Sequence, residues 1–290
     1  MSFSISENYR LWARVRKPCL PDSSLFTLQT FTPQRLTKLQ PLSVLITAGG
    51  TIAPLDDVRM ITNRSTGRFA SALAEACLQR SAAVTYIATT PQTFGPLESP
   101  QQRFGGDLDP SEIRQRMVAR MAQGWNHRDQ LRRIDLTTGT VSDYAEILEQ
   151  VAKSRPWDIV LLAAAVSDYE PVPVSGKISS EAEELLLVLR RTPKVIRHVR
   201  DWVGPETTLV GFKLTSGYCD ASMIEAGHQA CKINRSDITL INDQSSLNAG
   251  LHRVGLVSTD SAVEWFEPSN LMADHVIGSL FQRIASRRND

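Results

Sequence analysis

Residues Val44 to Gly67 read VLITAGGTIAPLDDVRMITNRSTG. The apolar run up to Gly49 and Gly50 predicts a fully buried strand that ends in a glycine turn. Two polar loops then follow in series before any helix begins. The first is Gly49-Gly50-Thr51, directly after the strand; the second is Asn63-Arg64-Ser65-Thr66-Gly67. Beyond them, RFASALAEACLQRSA (Arg68 to Ala82) places Phe69, Leu73, Ala76, Cys77 and Arg80 at three- and four-residue steps. That spacing predicts a helix with one buried face, and AVTYIAT follows it as a strand. Strand, helix, strand implies a right-handed parallel crossover, so the predicted fold class is α/β with a mostly parallel sheet and flanking helices.

The chain has 290 residues and is 42% hydrophobic, enough for one substantial core. Lys and Arg total 32 against 31 Asp and Glu, so there is no basic field to draw nucleic acid or an anionic membrane. Any anionic ligand must therefore be held by local geometry. Cys19, Cys77, Cys219 and Cys231 are widely spaced with no CxxC pair, which predicts free thiols in a reducing, cytoplasmic setting. No apolar run approaches the ~20 residues of a membrane helix, and the N-terminus lacks the apolar segment of a signal peptide.

Residues 1–40 are aperiodic and proline-punctuated and are expected to form an extension outside the domain at 41–290. An insertion is expected at about 91–133, with an amphipathic helix capped by Ser111. LRRIDLTT then predicts a strand, SDYAEILEQVAKS a helix capped by Ser142, and DIVLLAAAVSDYEP a very apolar strand. A helix around Ala221 to Lys232, the strand DITLIND, a hairpin over HRVGLVSTDSAVEWF and a closing helix complete the chain.

Ligands of an open parallel sheet bind beyond the carboxyl ends of its strands, and three such ends are glycine-rich or polar. At the first, glycines let backbone N–H groups approach an anion, and Ser65, Thr66 and Gly67 open a helix whose N-terminus favours phosphate. Neither GxGxxG nor GxxxxGK[ST] is present, so the dinucleotide and Walker-A fingerprints are both missing. The second end is AAAVSDYEPVPVSGK, Ala163 to Lys177. Asp168 either binds a ribose hydroxyl or a divalent cation, or caps a turn; Lys177 either reaches a phosphate or is a solvated lysine. The third is VGFKLTSG, Val210 to Gly217, where Phe212 and Lys213 either stack on and pair with a nucleotide or are core and surface residues. The histidines lack metal-ligand spacing and no serine lies in a GxSxG elbow.

Taken in order, GGT, DDVR, NRSTG, ALAEA, AAAVSDY, GKI, TPKVI, GFKL and IND resemble the phosphopantothenoylcysteine synthetase family over roughly residues 42–285. This family is also described as the C-terminal half of a bifunctional DNA/pantothenate metabolism flavoprotein. The resemblance implies a Rossmann-like fold with a small dimerisation hairpin region, a homodimer, and a cross-dimer contact near residues 234–259. It implies a ligase of coenzyme A biosynthesis that joins 4′-phosphopantothenate to L-cysteine through an acyl-nucleotide, releasing pyrophosphate from CTP or ATP with Mg2+ or Mn2+. By the same resemblance Lys177 serves acyl-nucleotide formation, and Asn63 the intermediate and its onward reaction. Asp168 is matched to the ribose or metal position. Gly49, Gly50, Thr51, Ser65, Thr66, Gly67, Phe212 and Lys213 are assigned to the nucleotide. The segment KISS stands where many members carry KIKK. No FMN is expected, because about 40 residues ahead of the domain cannot form a flavin-binding half. Two rivals are a nicotinamide- or flavin-dependent oxidoreductase, disfavoured by the missing fingerprint, and a non-catalytic nucleotide-binding relative.

Overall fold

The central strand carries its side chains alternately to two helical layers, and that alternation organises the molecule. The structure is a computed structural model describing residues 41–96, 128–259 and 262–289. The expected N-terminal extension and the helix capped by Ser111 lie outside those residues. Strand β1 (Ser43–Ala48) sends Val44, Ile46 and Ala48 toward helix α1 (Arg68–Gln79) and the C-terminal helix, and Leu45 toward the opposite layer. Between β1 and α1 the chain folds a small antiparallel pair, β2 (Ile52–Pro54) and β3 (Met60–Thr62). Strand β4 (Ala83–Ala88) then pairs parallel with β1, completing the crossover.

The remaining parallel strands are β5 (Leu131–Asp135), β6 (Ile159–Leu162), β9 (Thr208–Thr215) and β10 (Ile238–Asp243). Between β6 and β9 lies a second antiparallel pair, β7 (Tyr169–Pro171) and β8 (Leu189–Arg191). Two antiparallel strands, β11 (Val254–Ser258) and β12 (Glu264–Phe266), close one edge. The sheet order is β12-β11-β10-β9-β6-β1-β4-β5. The chain therefore winds outward in one direction from β1 to β5, then returns to β6 on β1's other side. The crevice between the carboxyl ends of β1 and β6 is the topological switch point, where this class of fold binds ligands.

Helix α2 (Val141–Lys153) and α3 (Ile196–Val203) cover the Leu45 face. Helix α4 (Asp220–Asn234) packs Met223 near Ile241 and Val257, α5 (Gln244–Asn248) is one short turn, and α6 (Met272–Asn289) lies beside α1. Helix α2 starts two residues earlier than a Ser142 cap implies. Its cap is Thr140, whose hydroxyl accepts the Asp143 N–H at 3.3 Å, rather than Ser142. Asp143 in turn accepts the N–H groups of Thr138 and Gly139, a reciprocal arrangement that Ser142 is placed too late to make. The apolar stretch 158–171 is likewise not one strand. Beyond Leu162 it leaves β9 to pair with the turn after β1, and it becomes a strand again only at Tyr169.

Residues 234–259, expected near a dimer contact, form β10, α5 and β11. Ile238, Leu240, Ile241, Val254, Leu256 and Val257 there are buried within this one chain. Among the described residues, no helix is long and apolar enough to cross a membrane.

Gly49 turns the chain out of β1 at φ 88°, and a Cβ there would lie 2.2 Å from the Thr89 hydroxyl and 2.3 Å from that of Thr93. Left-handed backbone costs a side-chain-bearing residue ~1–2 kcal/mol and overpacking ~1–3 kcal/mol. Gly49→Ala is thus expected to lower unfolding free energy by about 2–5 kcal/mol in urea titration. Parental stability would show that the turn is not constrained in this way.

Candidate functional site at the switch point

The two ends that face each other across the crevice are stitched by backbone. The Ala165 N–H donates to the Gly49 carbonyl at 2.8 Å, and the Ala165 carbonyl accepts the Thr51 N–H at 3.1 Å. That same carbonyl also accepts the side-chain amide of Asn63 at 3.1 Å. Gly50 allows this closeness, since a Cβ on it would stand 2.3 Å from the Asn63 carbonyl oxygen. Thr51 is wholly buried, and its hydroxyl accepts the Ser167 N–H at 2.9 Å. Of the three residues expected to cradle phosphate directly after β1, Thr51 commits its N–H and hydroxyl to joining β1 to β6. The product of these bonds is a fixed position for Asn63.

The second loop opens into solvent. Gly67 is the left-handed N-cap of α1, with no side-chain cap and no acidic residue in the first turn. Beyond the Arg68 N–H, which donates to the Thr66 hydroxyl at 3.4 Å, the leading amides of α1 are therefore available to an anion. The loop after β4 braces this turn: Phe94 N–H donates to the Thr66 carbonyl at 2.9 Å, and the buried Tyr86 hydroxyl donates to the Phe94 carbonyl at 2.5 Å.

Two clefts flank the loop. One, of about 540 Å3, runs from Ser65–Ala70 across Ala163–Ala165 to Phe212, Asn242 and His252. The other, of about 660 Å3, lies between Gly50, Asn63 and the Thr90–Phe94 segment. Both include Arg64, Ser65, Thr66, Gln244 and Leu247. No carboxylate lines either cleft among the described residues, whereas Arg64 lines both and Arg68 the first. In a chain of net charge +1, this is a local positive field. Phe69 stands edge-on between aromatic neighbours, 6.3 Å from the Phe212 ring and 4.8 Å from that of His252.

The structure separates the expected residues into groups. Asn63, Ser65, Thr66, Gly67 and Phe212 share the clefts, and Gly50 borders the second. Lys213 follows Phe212 on β9 and is exposed, its side chain directed by the strand's alternation to the opposite face. Asp168 and Lys177 line neither cleft. Asp168 is exposed and ion-paired with Lys194, and its backbone carbonyl accepts the Thr192 N–H at 3.0 Å. Lys177 stands exposed on the loop between β7 and β8.

That loop is tethered by residues that sequence reasoning passed over. Asp57 and Gly176 exchange two hydrogen bonds: Asp57 N–H to the Gly176 carbonyl at 3.2 Å and Gly176 N–H to the Asp57 carboxylate at 3.0 Å. The buried Asp56 carboxylate accepts from the N–H groups of Val58, Arg59 and Ile178. Burial by itself would raise the Asp56 pKa, but those amides and the Arg59 guanidinium hold it below the ordinary carboxylate range. The paired aspartates of DDVR thus fix the loop bearing Lys177. Asn242 and His252 were also missed. Asn242 had a signal, as the polar residue at the end of an apolar strand; His252 had none.

A model of the family described as DNA/pantothenate metabolism flavoprotein C-terminal domain matches residues 39–102 and 120–279. The coenzyme A biosynthesis bifunctional protein CoaBC of Thermococcus kodakarensis is 29% identical over 232 residues, covering 78% of this chain and 49% of that protein. Its namesake from Methanocaldococcus jannaschii is 28% identical over 205 residues, 70% of this chain and 40% of that one. The chain thus spans about half the length, or less, of these curated relatives. A DNA/pantothenate metabolism flavoprotein from Streptococcus pneumoniae superposes with TM-score 0.64 at 22% identity, over 85% of this chain and 99% of that one. A Cab2 variant solved in complex with phosphopantothenate-cysteine superposes with TM-score 0.71 at 21% identity, over 84% and 87%. At these identities the likeness to solved structures is one of fold.

One buried acid holds the far wall of the first cleft. Asp243 caps α5 and accepts from the Thr215 hydroxyl at 2.8 Å, the Ser245 N–H at 2.9 Å and the Tyr218 N–H at 3.3 Å. Burial opposes its ionisation, but these donors outweigh burial and bring its pKa down to about 2. An unfolded aspartate titrates near ~3.9, so its stabilisation is fully present above that pH and is lost as pH falls through about 2. Asp243→Asn is expected to lower the Tm at neutral pH, with the gap to the parent closing toward pH ~2. A gap that stays constant over that range would contradict this role.

Proposed function

The chain belongs to the DNA/pantothenate metabolism flavoprotein C-terminal domain family, and from that premise we propose that it is a phosphopantothenate–cysteine ligase. The reading is that it joins 4′-phosphopantothenate to L-cysteine in coenzyme A biosynthesis, using CTP or ATP. The observation that carries it is the pair of carboxylate-free clefts meeting at Arg64, Ser65 and Thr66. Two anionic substrates that must react with each other need two such compartments with a shared wall. The names of the CoaBC relatives and the phosphopantothenate-cysteine bound to the Cab2 variant support the same substrates.

In this account the nucleotide occupies the cleft of Phe212 and Asn242, with its phosphates toward Ser65–Gly67 and the open end of α1. The phosphopantothenate carboxylate enters beside Asn63. One carboxylate oxygen attacks the α-phosphate, its new P–O bond replacing the bond to pyrophosphate, which leaves. The cysteine amine then attacks the acyl carbon, and the nucleoside monophosphate departs with the former carboxylate oxygen. The amide of Asn63 is uncharged and anchored on the Ala165 carbonyl, so it orients the acyl group by hydrogen bonding without competing as a nucleophile. Lys177 supplies positive charge to the triphosphate from its tethered loop, which must swing or be presented by another copy to reach it.

A divalent cation fits this chain only as a passenger of the triphosphate. Among the described residues no cluster of three or more His, Cys, Asp or Glu forms a cage, and Asp168, the carboxylate matched to the metal by resemblance, is ion-paired with Lys194 outside both clefts. Mg2+ is commonly held by substrate phosphates with one or two carboxylates. When bound it neutralises phosphate charge.

The partner in a homodimer is assigned to the β7–β8 ribbon. Leu185, Leu186, Leu187, Val188 and Leu189 are all exposed there, Leu186 at 92%, an apolar run that a second copy would cover. Cys77, Cys219 and Cys231 are free thiols, in keeping with a cytoplasmic setting.

Pyrophosphate release from CTP or ATP, dependent on phosphopantothenate, is the expected activity. Lys177→Gln is expected to slow acyl-nucleotide formation about 100-fold, the cost of removing one preorganised charge or donor. Asn63→Ala is expected to retain pyrophosphate release while losing the cysteine adduct. Absence of release with both nucleotides would sink the ligase reading.

A further inference from the structure

His252 lies in the first cleft and belongs to none of the motifs that identify the family. It is half-buried beside β11, and its ring meets Phe69 edge-on at 4.8 Å, with an interplanar angle of 73°. Its ring nitrogens have no hydrogen-bond partner among the described residues. Burial lowers its pKa, so at neutral pH the ring is an uncharged imidazole with one donor and one acceptor.

The lining of the cleft offers two kinds of chemistry. Toward Ser65–Gly67 there are free helix amides with Arg64 and Arg68, an environment for phosphate. Around His252 there are the rings of Phe69 and Phe212 and, in the same lining, the side-chain amides of Asn242 and Asn270. An uncharged imidazole adds little to anion binding, but its donor and acceptor match the polar edge of a heteroaromatic base. Resting on the ligase reading, we propose that His252 is a specificity-determining residue that hydrogen-bonds the base of the nucleoside triphosphate.

His252→Phe keeps an aromatic ring against Phe69 and removes only the polar atoms, whereas His252→Gln restores a donor and acceptor without the ring. Calorimetric titration of each with CTP, ATP and phosphopantothenate separates the roles. Expected for the Phe variant is about tenfold weaker binding of the preferred nucleotide, the loss of one good hydrogen bond, with phosphopantothenate affinity and Tm unchanged. The Gln variant is expected to recover most of that loss. Unchanged nucleotide affinity in the Phe variant would overturn the proposal, and so would an equal loss of phosphopantothenate binding. Should the Phe variant not fold, His252→Ala set against His252→Gln gives the same contrast. A parent protein that binds neither CTP nor ATP would instead remove the ligase reading, and this proposal with it.

Discussion

The peptide group of Ala165 is the interaction on which the site depends. Its N–H and carbonyl close the gap between the chain ends of β1 and β6, and the same carbonyl takes the side-chain amide of Asn63. In a doubly wound sheet the switch point is an open crevice by default. Here the crevice is bridged at its floor, so a ligand meets a solid base and two compartments above it. Gly50 is required by that closure, because any side chain on it would collide with the backbone of Asn63. Fold and chemistry are joined at one residue: the backbone bond that completes the sheet also aims the amide.

Charge is distributed by the same economy. The chain is close to neutral overall, and several of its acids are engaged by structural partners and line neither cleft. Asp56 and Asp57 hold the 174–178 loop, Asp143 secures the start of α2, Asp243 fixes the turn after β9, and Asp274 pairs with Arg80 between α1 and α6. What remains at the carboxyl edge is a set of amides, hydroxyls and arginines. Anion recognition here comes from removing competing carboxylates as much as from adding cations.

Much of this was legible in the sequence, and the exceptions have physical causes. Buried strands and the amphipathic α1 announce themselves by periodicity, and NRSTG marks a polar loop opening a helix. GGT marks a phosphate cradle by its glycines, which leave amides free after a strand; that Ala165, over a hundred residues later, takes the Thr51 amide is a long-range contact with no local signal. The helix cap lies at Thr140, two residues before the expected Ser142, because Asp143, not the apparent serine, decides the geometry. Within the 234–259 segment, expected near a dimer contact, the alternating apolar residues complete the sheet of this chain. His252 was invisible as a site residue, since its importance comes from which ring it meets rather than from its neighbours in sequence.

Hydrogen–deuterium exchange with and without CTP or ATP tests the central claim most directly, because it asks where the nucleotide lies without assuming any residue's role. The account predicts protection in peptides spanning 63–70 and 240–252, with none at the opposite end of the sheet around 83–85 and 129–132. Protection at that opposite end, or none in the 63–70 loop, would contradict it.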